Sequence, residues 1–132
     1  MSKLAFKKHQ LVWFCSGDAL WNQIKGARAL VLPSEWYENA PMSVLEAFAS
    51  GKPVVGADIG GIPEMITPEI GWVFPSGNVD ALADVLTEVF ARSDAAIAEM
   101  GRKARVHCAT HFNRTRYIEG IETVYRELGV KF

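Results

Sequence analysis

Past a polar opening, short β-prone apolar runs alternate with longer stretches whose apolar residues recur every three or four positions. A period of about two suits strands and one of about 3.6 suits helices, so the pattern predicts an α/β chain. Leu11–Cys15 (LVWFC) is expected to form a first buried strand. Ser16-Gly17-Asp18 is turn chemistry with a good N-cap, and Asp18–Gly26 should follow as a helix with Leu20, Trp21 and Ile24 inward. Ala29–Leu32 is the next expected strand, and Val54–Gly56 and Gly71–Phe74 are two more. Ile62–Met65 has the length of a single helical turn, with Pro63 near its start. Asn78 or a neighbour should cap a helix bearing Leu82, Val85, Leu86 and Val89 at helical spacing. Asp94–Thr110 and Asn113–Glu127 are the last two expected helices, the final one with Tyr117, Ile121, Val124, Tyr125 and Leu128 inward. Strands alternating with helices imply a parallel sheet covered on both faces, a Rossmann-like arrangement. Ligands of such open sheets sit beyond the carboxyl ends of the strands.

The stretch from Val31 to Met65, VLPSEWYENAPMSVLEAFASGKPVVGADIGGIPEM, is the most informative. Pro41 fits the first position of a helix, since the N–H it lacks would be unpaired there. Ala40 before it is pushed out of helical conformation, so the loop ends there. Gly51 and Pro53 stop the helix at its other end. Within Met42–Ser50 only Ser43, Glu46 and Ser50 are polar, and their spacing places them on one stripe of a helix that is otherwise apolar. A helix of that kind should be buried on most sides, with Glu46 as its single charge. A mostly buried carboxylate needs hydrogen-bond donors or a cation. The first-turn N–H groups of Met42, Ser43 and Val44 would lack partners, and with the helix dipole they offer a seat for phosphate. A phosphate seat bracketed by Glu38 and Glu46 suits a ligand with both phosphate and many hydroxyls, such as a nucleotide sugar.

Composition narrows the alternatives. The chain has 132 residues, 49% hydrophobic and 22% charged, with a net charge of −1. That describes one domain, residues 1–132, with 1–10 a loosely ordered lead-in. There is no basic footprint for nucleic acid and no apolar run long enough for an integral membrane segment, and no signal peptide is expected in Met1–Gln10. The two cysteines, Cys15 and Cys108, have no CxxC spacing and read as buried free thiols. His107 and His111 stand one helical turn apart but lack a third ligand, so no metal site is expected.

The spacing Glu38-x7-Glu46 inside PSEWYENAPMSVLEAFASGKPVV, followed by GGIPEMI, resembles the donor-binding, C-terminal half of GT-B glycosyltransferases of the retaining family 4 (group 1) type. The similarity runs from about Val12 to Leu128. It implies transfer of a hexosyl unit from a nucleoside-diphosphate sugar to a hydroxyl, with no cofactor or metal. By resemblance, Glu46 would hold the ribose diol, and Glu38 would be the catalytic-site glutamate at the transferred sugar. Asn39, Ala40, Pro41, Met42 and Ser43 would offer backbone donors to the sugar and diphosphate, and Gly60 and Gly61 would let backbone approach the donor. Where the family has a Gly-rich segment after its first glutamate, this chain reads Asn39-Ala40-Pro41-Met42. The resemblance also implies a missing acceptor-binding domain, supplied in cis or trans, and a missing strand–helix unit that carries an Arg/Lys pair for the leaving diphosphate. Arg28 and Lys52 do not match those positions. The isolated chain is therefore expected to be inactive or nearly so. It should be cytoplasmic, meeting a membrane only through the missing half.

Trp36 and Tyr37 form an exposed aromatic pair beside Glu38, available to a base or a partner domain, whereas packing suits Trp21 and Trp72 better. Glu64 reads as a partner of a helix dipole. Two other readings compete: a non-catalytic nucleotide-binding or interaction module completed by a partner chain, and a flavodoxin-like response domain. The latter needs an acidic cluster after the first strand, where Cys15-Ser16-Gly17-Asp18 offers one acid.

Overall fold

The computed structural model describes residues 12–131. Three parallel strands, β1 (Leu30–Leu32), β2 (Val54–Asp58) and β3 (Gly71–Pro75), lie side by side in chain order. Leu30 pairs with Val54 and Val54 with Gly71, which sets the register of the whole sheet. Six helices accompany them: α1 (Gly17–Gly26), α2 (Met42–Ala49), α3 (Ile62–Met65), α4 (Val79–Ala91), α5 (Asp94–His111) and α6 (Arg114–Glu127).

The central strand explains the layering. Val54, Val55, Gly56 and Ala57 are all buried, as expected of a strand covered on both faces. One face packs Val44, Ala47 and Phe48 of α2, Ile62 and Met65 of α3, and Ala104 of α5 against Val54. The other packs Val89 of α4, Ile97 and Phe74 against Val55 and Ala57, with Trp72, Leu82 and Val85 partly covered around them. Gly56 has no side chain because α3 leaves no room: a Cβ there would stand 2.5 Å from Ile66 Cδ1 and 2.6 Å from Ile62 Cγ2.

Local chemistry sets the helix ends. Asn78, Ser93 and Asn113 accept from the backbone N–H three residues on, capping α4, α5 and α6. Gly51, at φ +71°, ends α2 in a Schellman turn, donating to the Phe48 carbonyl while Lys52 donates to that of Ala47.

Several expectations are corrected. The expected strand at Leu11–Cys15 is not formed: 12–15 are irregular, Trp13 is 93% and Phe14 88% exposed, and Leu11 lies outside the described residues, as does the lead-in 1–10. A β-prone run becomes a strand only where another strand supplies hydrogen bonds, and among the described residues none flanks it. Among the described residues the sheet therefore has three strands rather than the four expected. No side chain of α1 or α6 is buried: Leu20 and Ile24 are half-buried and Trp21 is 36% exposed. Tyr117, Ile121, Val124, Tyr125 and Leu128 are exposed, and no α6 side chain belongs to either core cluster of the described residues. Ser16 stands at the start of α1 without a capping side-chain bond. Cys15 and Cys108 are free, as expected, but half-covered rather than buried. Burial nevertheless pushes the Cys108 thiol pKa up.

Candidate functional site

The parallel order puts three loops at one edge of the sheet, after the carboxyl ends of β1, β2 and β3. The loop after β1 carries the candidate residues, and Ser34 builds it. The Ser34 hydroxyl donates to the Trp36 carbonyl (3.1 Å) and accepts from the Trp36 N–H (3.2 Å). It also stands 3.4 Å from Glu38 Oε1. Ser76, in the turn after β3, donates to the Ser34 carbonyl at 2.9 Å and ties that loop to its neighbour. Neither serine stood out in the sequence. A short hydroxyl beside a turn binds local backbone routinely, and only the fold shows which backbone.

The loop after β2 meets the first one backbone to backbone. Gly61 N–H donates to the Glu38 carbonyl at 2.8 Å. A Cβ on Gly60, which has φ +59°, would lie 2.2 Å from the Glu38 oxygen, and one on Gly61 would lie 1.9 Å from the Asn39 oxygen. These glycines, expected to let backbone approach the donor, also let the two loops meet, because the space a Cβ would fill is taken by the Glu38-Asn39 backbone.

Between the two loops lies an open cleft of about 450 Å³, lined by Tyr37, Glu38, Asn39, Gly60, Gly61 and Glu64. Glu38 is half-buried, while Tyr37, Asn39 and Glu64 are exposed. Glu64 belongs to this cleft, although α3 also places it in its own first turn. The sequence signal for it was there, since it lies three residues beyond Gly61 in GGIPE.

Helix α2 starts one residue later than expected. Pro41 is its N-cap at φ −65°, ψ 123°, and Met42 is the first helical residue. Val44 N–H donates to the Pro41 carbonyl at 3.1 Å, so the expected triplet of free amides shrinks to those of Met42 and Ser43. The helix is covered on most sides: Val44, Ala47 and Phe48 are buried and Ser43, Leu45 and Glu46 half-buried, while Met42, at 65%, and Ala49 are exposed. Ser43, Glu46 and Ser50 do share a half-buried stripe. Glu46 is therefore half-buried rather than enclosed, and among the described residues no ion pair or hydrogen bond engages its carboxylate.

The basic residues nearest in sequence lie at the opposite edge. Arg28 precedes β1 and is engaged by the Val89 carbonyl (3.2 Å), Asp94 and the Arg92 carbonyl. Lys52 precedes β2 and lines a separate crevice with Arg28 and Asp94. Trp72 packs as expected, donating to Glu88 at 2.9 Å beneath the Arg92 guanidinium. Arg92 and then Trp72 hold the Glu88 pKa below the usual carboxylate range. Among the described residues no group of three or more His, Cys, Asp or Glu could hold a metal, and no helix is long and apolar enough to cross a membrane.

Residues 2–107 match the family described as Glycosyl transferases group 1. The amylovoran biosynthesis glycosyltransferase of Erwinia amylovora is 36% identical over 111 residues, covering 80% of this chain and 27% of that protein. Sucrose-phosphate synthase from Thermosynechococcus elongatus superposes with a TM-score of 0.69 at 28% identity, over 80% of this chain and 26% of that one. HepE of Anabaena in complex with UDP superposes with a TM-score of 0.69 at 22% identity, over 79% of this chain and 29% of that one. This chain thus spans between a quarter and a third of each of these proteins.

Proposed function

Because the chain belongs to the glycosyl transferases group 1 family, with the α/β fold of GT-B enzymes, we propose that it is the donor-binding domain of a retaining glycosyltransferase. In this reading it takes a nucleoside-diphosphate sugar and presents it for transfer to a hydroxyl acceptor held by another domain.

The observation that carries the reading is the environment of Glu46. A half-buried carboxylate without a partner in the described chain stands one turn into a helix whose first amides, those of Met42 and Ser43, are also free. Both lie at the edge of the sheet where ligands of open α/β folds collect. A carboxylate accepts from both hydroxyls of a ribose at once, and two amides backed by a helix dipole suit a diphosphate. Glu46 then holds the ribose, Met42 and Ser43 the phosphates, and Glu38 with Asn39 the sugar. Ala40 and Pro41 shape the turn between them; Pro41 has no N–H and contributes no donor. HepE, which shares this fold, is in complex with UDP, and that supports a nucleotide as the class of ligand.

One observation favours the second reading, a nucleotide-binding module that does no chemistry by itself. With Arg28 and Lys52 at the far edge, the leaving diphosphate would rest on amides without the help of these two cations, which weakens stabilisation of developing charge.

Thermal denaturation of the chain with UDP, GDP and ADP, and of Glu46→Ala beside it, tests the shared core of both readings. A nucleotide at a hundredfold its dissociation constant should add about 2.7 kcal/mol of stability, and Glu46→Ala should abolish that gain. An equal gain in the variant, or none with any nucleotide at millimolar concentration, would overturn the assignment of Glu46. Release of nucleoside diphosphate from a sugar conjugate, measured alone and with a supplied acceptor domain, separates the enzyme from the passive module.

A further inference from the structure

The cleft that receives the transferred sugar in the donor reading above holds a carboxylate with no part in that reading. Its lining combines Glu38 and Glu64 with the Asn39 amide, the Tyr37 ring and two glycines, and it contains no cation. Glu38 and Asn39 hold the sugar in that reading. Glu64 has no such part, and among the described residues no ion pair or side-chain hydrogen bond engages it. Its helix gives it little reason to be acidic, since α3 is a single turn of four residues and sums few peptide dipoles.

Backbone contacts keep the two carboxylates in one cleft. Gly61 N–H donates to the Glu38 carbonyl at 2.8 Å, and Glu64 follows Gly61 by three residues. Glu38 and Glu64 thus hang from two loops that cannot separate without breaking that bond. The hydroxyl of Ser34, 3.4 Å from Glu38 Oε1, is neutral and leaves the charge there uncompensated.

An ionised carboxylate accepts hydrogen bonds and donates none, so a pair of them suits hydroxyls and opposes a further negative group. The donor's own diphosphate is spared, because the amides of Met42 and Ser43 lie outside this lining. The opposition falls instead on the sugar. A hexosyl unit ends in a hydroxymethyl group at C6, and a uronosyl unit carries a carboxylate of nearly the same size there. Shape separates these two poorly, whereas an uncompensated charge placed against one of them separates them well. The screening length in about 0.1 M salt is about 10 Å, so the effect reaches across the cleft whichever edge of the ring faces Glu64.

We propose that Glu64 is a specificity-determining residue of the donor site, which together with Glu38 admits an uncharged hexosyl unit and turns away a uronosyl one. The assignment rests on the donor reading, and Glu64 takes no part in bond making.

Calorimetric titration of the full chain tests it with three matched pairs: UDP-glucose and UDP-glucuronate, GDP-mannose and GDP-mannuronate, ADP-glucose and ADP-glucuronate. The bare diphosphates are titrated beside them. For the nucleotide that binds, the uronosyl conjugate should bind about tenfold more weakly than its neutral partner, or weaker still, in about 0.1 M salt. The gap should narrow severalfold in about 1 M salt, where the screening length falls to about 3 Å. Glu64→Gln should cut the gap to about threefold or less by strengthening the uronosyl conjugate, while affinity for the bare diphosphate stays within about twofold. Asp84→Asn removes an exposed charge of α4 outside the cleft and should leave the gap as it was. Equal binding of the two conjugates by the unaltered chain overturns the proposal. A gap that survives Glu64→Gln, or that closes equally in Asp84→Asn, overturns it as well. A chain that binds none of the bare diphosphates fails at an earlier step: the donor reading falls, and this assignment falls with it.

Discussion

Gly61 shows how much of this site is decided by single atoms. Its φ of −88° is one that any residue adopts, so conformational freedom does not require glycine there. Space does: an added methyl would stand 1.9 Å from the Asn39 carbonyl oxygen, and that oxygen belongs to the backbone. Gly61→Ala should force the two loops apart, cost about 2 kcal/mol and lower the melting temperature by roughly 5–10 °C. Nucleotide stabilisation should fall with it. A variant that melts within a degree of the unaltered chain would show that the loops part easily. The glycine pair was visible in the sequence, but its part in joining the two loops was not. A Gly-Gly turn says that something comes close, and only the fold shows that the visitor is the Glu38-Asn39 backbone. Glu46 stands out locally, as the single charge of an otherwise apolar helix, whereas Glu38 is singled out by the resemblance alone.

Among the elements, α2 carries the candidate site on one side and rests on α5 through the other. His107 of α5 stands edge-on to Phe48, with ring centroids 6.4 Å apart, and stacks on His111 at 4.3 Å. Burial first, and then the neighbouring His111, lower the His107 pKa from its ordinary value of 6.5. The folded state therefore binds fewer protons than the unfolded chain as the pH falls past 6.5, and stability declines with it. The contribution of the neutral ring is whole above that value and is lost as the pH drops through the depressed folded pKa. Denaturant melts at pH 7.5, 6.5 and 5.5 should show this decline, with a slope of at most about 1.4 kcal/mol per pH unit for one proton. His107→Gln should flatten it over the same range, where carboxylates scarcely titrate. A decline that persists unchanged in the variant would place the proton elsewhere. The 107/111 spacing reads in sequence as an idle pair, and its link to the site helix depends on α5 packing over α2, which no local pattern encodes. The boundary of α2 was legible to within one residue, because Pro41, Gly51 and Pro53 act through their own backbones.

Across the whole molecule, the alternation of strand and helix patterns yielded the parallel sheet with helices on both faces. It overcounted the strands because an apolar run carries no record of whether a partner exists, and Trp13 and Phe14 are left exposed. The same reasoning applies to α6, whose stripe is amphipathic while none of its side chains is buried. A chain ending at Phe112 should therefore melt within about 3 °C of the full one, since changes at unburied positions usually cost little. A drop beyond 10 °C would mean that α6 braces the core in solution.

The meeting of Gly60 and Gly61 with Glu38 and Asn39 also limits how this site can change over generations. Where a new side chain collides with another side chain, a smaller neighbour can restore the fit. Here the obstacle is a pair of peptide oxygens, present whatever residues occupy positions 38 and 39. No compensating substitution can trim them, so a lineage that loses either glycine has little recourse except to regain it or to rebuild both loops together.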